Sequence, residues 1–282
     1  MKNGLVTFCV IHTRRLECTK RCISSIERYT NIRYRIRLLV QGGFLNEKAE
    51  NYFESLEKRK NIEVIKLGKN IGVSAGRNLL LQKAKSSLTV VLDNDVYFTG
   101  DWLNPASGIL EKNMDVGFVG FPRHKFNGKF ENLGGRNLEV NKNILFVTTL
   151  KYRWDKEFIE VNDLCGVILL RQEAKKDLAF DPQFAMAFSD LDKGLQLLRS
   201  KWKKVVCLRS RVIHDQVKDT DYLDYNLLRV NYPEFSRSYS KFRRKWELRL
   251  PWKEHFKYSY VYPLITPQIY KMLHKLKDMI IR

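Results

Sequence analysis

Over its first 120 residues the chain alternates short apolar, β-branched runs with longer stretches of helical spacing. LVTFCVI at 5–11 precedes a helix through Ile23 and Ile26, and RIRLLV at 35–40 precedes one near 45–58. IEVIKL at 62–67 leads to a helix from about Ser74, then come LTVVL at 88–92, a further helix and VGFVGF at 116–121. Strands spaced in this way pair in parallel only if each returns through a crossover helix. The pattern predicts an α/β fold with a mainly parallel sheet sandwiched by helices. Ligands in such sheets sit at the carboxyl ends of the strands.

Residues 122–160 lose the rhythm and read as long loops or a hairpin. Regular structure returns with a strand LCGVILL at 164–170, a helix over 188–199 carrying Phe188, Leu191, Leu195 and Leu198, and a strand KKVVCL at 203–208. The expected division is a folded α/β domain over 1–217 and a basic, aromatic C-terminal helical extension over 218–282. The chain carries 51 Lys+Arg against 31 Asp+Glu, a formal +20, yet 44% of it is hydrophobic. That excludes a disordered basic tail and predicts an anionic partner: nucleic acid, an acidic membrane surface or a phosphorylated substrate. Residues 241–282 hold +8 of this charge, interleaved with Trp246, Trp252, Tyr258, Tyr260 and Tyr262. The segment containing Ile269, Met272, Leu273, Leu276, Ile280 and Ile281 suits an amphipathic helix on an anionic bilayer, or one packed on the protein body.

Cys9, Cys18, Cys22, Cys165 and Cys207 form neither a disulfide framework nor a zinc ligand set, which points to a reducing compartment. LVTFCVI is followed by His-Thr-Arg-Arg, unlike a signal peptide, and no run reaches the ~20 apolar residues of a membrane span. The expected location is cytoplasmic, soluble or peripheral at the inner face of the cell membrane.

VVLDNDVYF at 90–98 ends an apolar strand in two carboxylates, Asp93 and Asp95, which face one side while the chain stays extended. Oxygen ligands placed there suit a hard divalent ion bridging to a diphosphate; a turn capped by Asp93 or Asn94 is the structural alternative. In NIGVSAGRNLLLQKA at 70–84, Gly72 and Gly76 permit close backbone approach at a helix start, and Arg77 offers a cation for phosphate or for a surface ion pair. In FDPQFAMAFSDLDKGLQLL, a helix separates Asp190 from Asp192 by about 200°, so one carboxylate faces a substrate. The apolar stripe lies nearer Asp192, which leaves Asp190 as the proton acceptor or as a helix-dipole carboxylate.

The ordered series of a βαβ start, NIGVSAGRN, LDND, LCGVILLRQEA, FDPQFAMAFSDLD and VIHD resembles the family-2 glycosyltransferases over roughly residues 4–215. These are inverting enzymes of the glycosyltransferase A-type (GT-A) fold. The resemblance implies a nucleoside-diphosphate sugar donor contacted by Gln41, Gly72, Arg77, Asp93 and Asn94. It also implies a divalent metal, Mn2+ or Mg2+, on Asp95, His214 and the shell around Asp93, with Asp190 as general base. Asp163 and Asp215 are acceptor-side candidates, and Trp154 and Trp202 are stacking candidates. The basic aromatic tail adds the expectation of an acceptor hydroxyl at a membrane, on a lipid-linked glycan intermediate or another cell-envelope glycan. Two positions depart from the pattern: Gln41 stands where the family has an Asp that reads the nucleobase, and Ser189 where it has a Glu. The rival readings are a non-catalytic nucleic-acid binder, which leaves the spaced carboxylates unexplained, and a nucleotidyltransferase on a related sheet.

Overall fold

The structure, a computed structural model, describes residues 4–42, 46–151, 153–215 and 232–265 together with Ile269 and Met272. The first half is the expected alternation: β1 (Val6–His12), α1 (Leu16–Tyr29), β2 (Tyr34–Gln41), α2 (Glu47–Glu57), β3 (Ile62–Leu67), α3 (Val73–Lys83) and β4 (Leu88–Asp93). After β5 (Val96–Phe98) come α4 (Leu103–Lys112) and β6 (Val116–Gly120). Every residue of β1 is buried, as expected of a central strand covered by helices on both faces.

The rest builds small strands around this frame: β7 (Arg123–Lys125), β8 (Phe130–Asn132), β9 (Gly135–Asn141), β10 (Ile144–Thr148), β11 (Phe158–Val161), β12 (Asp163–Leu164) and β13 (Ile168–Arg171). Then follow α5 (Ser189–Leu197), β14 (Lys203–Cys207) and β15 (Val212–His214). The main sheet has the order β11-β14-β6-β13-β4-β1-β2-β3. Its strands run parallel except β13 and β11, which pair antiparallel with their neighbours. The strand order turns at β1, and there Ile11 pairs with Asp93 at the end of β4. That crevice is where an open α/β sheet binds ligands.

The irregular stretch 122–160 holds the expected hairpin, β9–β10, whose turn residues Lys142 and Asn143 both take positive φ, and further short strands beside it. One expectation needs correction. The run 164–170 is not one strand: the chain leaves β12, in a sheet with β9 and β10, and enters β13 of the main sheet through Gly166 at φ 81°. A left-handed backbone at that crossing favours glycine.

The described part of the C-terminal segment is packed on the body. In α6 (Tyr232–Trp246), Tyr239 and Phe242 are buried and share a hydrophobic cluster with Leu138, Leu145, Phe184, Phe188, Leu195, Leu248 and Leu250. A short α7 (Trp252–Phe256) follows, continuing through a π turn at Lys257–Val261. The expected boundary near residue 217 and the apolar positions from Leu273 onward lie outside the described residues.

Candidate active site

A cavity of about 590 Å³ opens at the carboxyl end of β4, lined by Arg77, Asp93, Asp95, Asp190 and His214 among others. Arg77, on α3, is 7% exposed, and its guanidinium lies 5.0 Å over the Phe180 ring. Its Nη2 donates to both oxygens of Asp93 at 3.0 and 3.2 Å, and its Nη1 reaches Asp190 Oδ1 at 3.5 Å. One buried cation therefore joins the strand-end carboxylate to the first turn of α5. Burial opposes the Arg77 charge, but Asp93 and Asp190 outweigh it and raise its pKa.

The backbone turns at Asn94–Asp95, so the two carboxylates of the DND triplet line one cavity but take different partners. Asp93 meets Arg77, whereas Asp95 lies 3.5 Å from Arg15 Nη1 and 3.6 Å from His214 Nε2. His214 Nδ1 is 3.0 Å from Glu131 Oε2. A carboxylate only accepts, so Nδ1 carries the proton and Nε2 is the nitrogen turned toward Asp95. Burial pulls the His214 pKa down, but Asp95 and Glu131 together raise it above its ordinary value.

Asp190 has a half-exposed side chain, 48%, facing the cavity. Its neighbour two residues on, Asp192, is fully buried on the other side of α5, accepting from Trp246 Nε1 at 2.8 Å and paired with Lys245 at 2.7 Å. Desolvation pushes the Asp190 pKa up, but Lys193, Arg77, Arg136 and Arg123 together hold it below the usual carboxylate range. It is ionised at neutral pH and able to accept a proton.

Other sequence-derived residues are elsewhere. Asn94 is not among the residues lining the cavity: its amide donates to Arg14 O and Thr19 Oγ1, both at 2.8 Å, and ties β4 to the start of α1. Gln41 is buried at the end of β2, its amide donating to Thr13 Oγ1 and accepting from the Ile71 backbone N–H. The close approach at Gly72, φ 83°, is to protein: a Cβ there would meet Ala185 at 3.0 Å. The segment before α5 is thus seated on the start of α3. Ser74 Oγ reinforces that seat, bonding Phe184 O and the hydroxyl of Ser189, so Ser189 faces α3 and not the cavity. Asp163 and Asp215 are buried in ion pairs, the first with Arg136 and Lys193, the second with Arg21. Trp202 packs over Gly117 beneath Arg171, and Trp154 lines a second cavity with His124 and Arg211.

Glu131, Arg123 and Arg136 line the site and carry no sequence signal. Arg123 and Glu131 lie in three-residue strands and Arg136 at the start of β9, all in a region without sequence periodicity, brought in by pairings such as Arg123 with Val212.

The sequence pattern of glycosyl transferase family 2 matches residues 7–177. No curated protein matches the chain. Among solved structures, that of GalNAc-T7 with UDP, GalNAc and Mn2+ is similar at a TM-score of 0.61 and 16% identity. The alignment covers 92% of this chain and 57% of that one, a likeness of GT-A fold.

Proposed function

Because the chain belongs to glycosyl transferase family 2, we propose that it is a metal-dependent, inverting glycosyltransferase. It would take a sugar from a nucleoside diphosphate and attach it to a hydroxyl of a cell-envelope glycan or a lipid-linked acceptor. The observation that carries this reading is the convergence of Asp93, Asp95, Asp190 and His214, distant in sequence, on one cavity at the end of β4.

The donor set suits a divalent cation. Asp95 Oδ2 and His214 Nε2, an oxygen and an imidazole nitrogen, approach to 3.6 Å, and Glu131 holds the opposite ring nitrogen. Among the described residues no group of three His, Cys, Asp or Glu forms a cage. One carboxylate with the remainder supplied by diphosphate oxygens and water is how Mg2+ is usually held, and the added imidazole favours the softer Mn2+ over Mg2+. Bound there, the ion would supply charge neutralisation to the departing diphosphate.

The protein's own groups account for the rest. Arg77, held by Asp93 and Asp190, presents a fixed cation at the cavity wall. Asp190, kept ionised by the cations around it, removes the acceptor hydroxyl's proton during in-line attack at the anomeric carbon. A single displacement inverts the configuration.

Asp190→Asn removes the base while preserving shape and nearly all contacts. The expected result is roughly a 10²- to 10⁴-fold loss of turnover with nucleotide binding retained. Asp95→Ala, by contrast, is expected to abolish the manganese-dependent part of nucleotide binding, read by thermal shift with UDP and with a deoxythymidine nucleotide. Full turnover in Asp190→Asn overturns the base assignment.

A further inference from the structure

The segment after α6 has two aromatic faces. The inner one is satisfied: His255 Nδ1 meets Tyr239 OH at 2.9 Å, Tyr258 packs on Phe188 and Tyr239 at 5.1 and 5.3 Å, and Tyr262 on Tyr232 at 4.5 Å. The outer one carries Trp252, Phe256, Tyr260 and Leu264, which are 73%, 48%, 60% and 71% exposed. These four residues recur at intervals of four. In a regular α-helix that spacing drifts about 40° per step; the wider π turn at Lys257–Val261 offsets the drift. Ring contacts join Trp252 to Phe256 at 6.2 Å and Phe256 to Tyr260 at 5.4 Å, and exposed Leu264 follows at the end of the 3₁₀ turn Tyr262–Leu264.

A soluble surface rarely leaves such a stripe uncovered without a use for it. It is not an unfinished core, since the opposite face of the same segment already packs on α6. Lys253 and Lys257 are exposed in the same stretch, and Glu254 is the only acidic residue between Leu248 and Ile265. Aromatic side chains with basic neighbours suit the headgroup layer of a bilayer, where the rings enter the acyl boundary and the ammonium groups meet anionic headgroups. We propose that the Trp252–Phe256–Tyr260–Leu264 stripe docks the protein on an anionic membrane surface. The stripe lies within the basic aromatic tail to which the sequence pointed, upstream of its amphipathic stretch from Ile269.

The mount is stiff. Trp246 and Lys245, at the end of α6, are bonded to Asp192 of α5, and Lys245 also to Asp181. A bilayer under the stripe would thus hold the helix bearing Asp190 in a fixed relation to the membrane.

Flotation of the full chain with phosphatidylcholine vesicles, alone and mixed with phosphatidylglycerol, tests the proposal without any sugar donor. Its outcome is therefore separate from that of the transferase reading. Wild type is expected to float with the mixed vesicles, and Trp252→Ser combined with Phe256→Ser to lose roughly tenfold or more of the partitioning. Unchanged thermal unfolding of the double variant shows that the loss is not misfolding. Lys253→Gln with Lys257→Gln is expected to reduce only the preference for phosphatidylglycerol. Equal flotation of wild type and the serine variant overturns the proposal, as does failure of wild type to float. So does a wild-type dimer in sedimentation that the serine variant dissolves, which would assign the stripe to a second copy of the chain.

Discussion

The two walls of the cavity are built in opposite ways. The wall bearing Asp93 and Arg77 comes from β4 and α3, consecutive elements whose two side chains stand 16 residues apart and bond each other directly. The wall bearing Asp190 comes from α5, whose place is set from several distant points. Gly72 and Ser74 of the first half seat the chain before it, and Trp246 and Lys245 hold its far side. Phe188, just ahead of α5, takes a left-handed φ of 67° inside a ring of Tyr239, Phe242 and Tyr258. An L-residue stays in that conformation only where its surroundings over-determine it. One wall is thus specified locally and the other by packing.

The sharpest way to break this contrast is to loosen the packing. Phe242 is fully buried, with its ring 5.2 Å from Phe188. Phe242→Ala is expected to cost about 3–5 kcal/mol. For a chain of this size that lowers the melting temperature by roughly 6–20 °C. Turnover should fall as well, because Phe188 and then Asp190 lose their support. If α6 were an independent appendage, circular dichroism would show the main unfolding transition unmoved.

The same contrast explains what could be read from sequence. The strand and helix alternation through β6 was legible because parallel βαβ units repeat a pattern every few dozen residues. The opposition of Asp190 and Asp192 was legible because the helical period alone sets it, and one indeed faces the cavity while the other is buried. Glu131, Arg123 and Arg136 were not. A three-residue strand such as β7 or β8 shows no period, and the contact of Glu131 with His214 joins residues 83 apart. Asn94 misled for a related reason: it lies between two cavity carboxylates, but at a turn successive side chains need not share a face, and its amide went to α1. Ser189 reads as a lost carboxylate in the family's pattern, yet its hydroxyl has a partner in Ser74, which no local rule connects to it.

A smaller effect sharpens the electrostatic side of the comparison. The cations facing Asp190 come from its own helix and from three other elements: Lys193 of α5, Arg77 of α3, Arg136 of β9 and Arg123 of β7. The base works ionised, and its pKa is depressed, so at saturating metal, which keeps His214 Nε2 unprotonated, the acid limb that Asp190 sets should lie below the usual carboxylate range. Arg136→Gln removes one of the depressing charges. The acid limb of its pH–rate profile should therefore move to higher pH, while the neutral-pH rate changes less. A profile unmoved by the substitution would mean that the rate does not report Asp190. Because Arg136 also pairs with buried Asp163 at 2.7 Å, the comparison is made at a temperature where both proteins are folded.

The smallest expected effect concerns the point where sequence and structure give different reasons for the same residue. Read as a motif, Ser189 stands where the family has a Glu, which puts the chemistry in question. Read in the fold, it is 4% exposed and 2.8 Å from Ser74 Oγ, a buried pair that helps dock α5 on α3. Ser189→Ala removes one hydroxyl from that pair. Ser74 Oγ keeps its bond to Phe184 O at 2.6 Å, so no buried donor is orphaned and the cost is about 1 kcal/mol. Turnover should remain within about twofold of wild type, since a 1 kcal/mol loss of stability leaves a marginally stable domain overwhelmingly folded. Chemical denaturation and steady-state rates on the same preparation separate the two readings. A small shift in midpoint with unchanged rate assigns Ser189 to docking, whereas a large loss of rate without loss of stability would return it to the chemistry of the cavity.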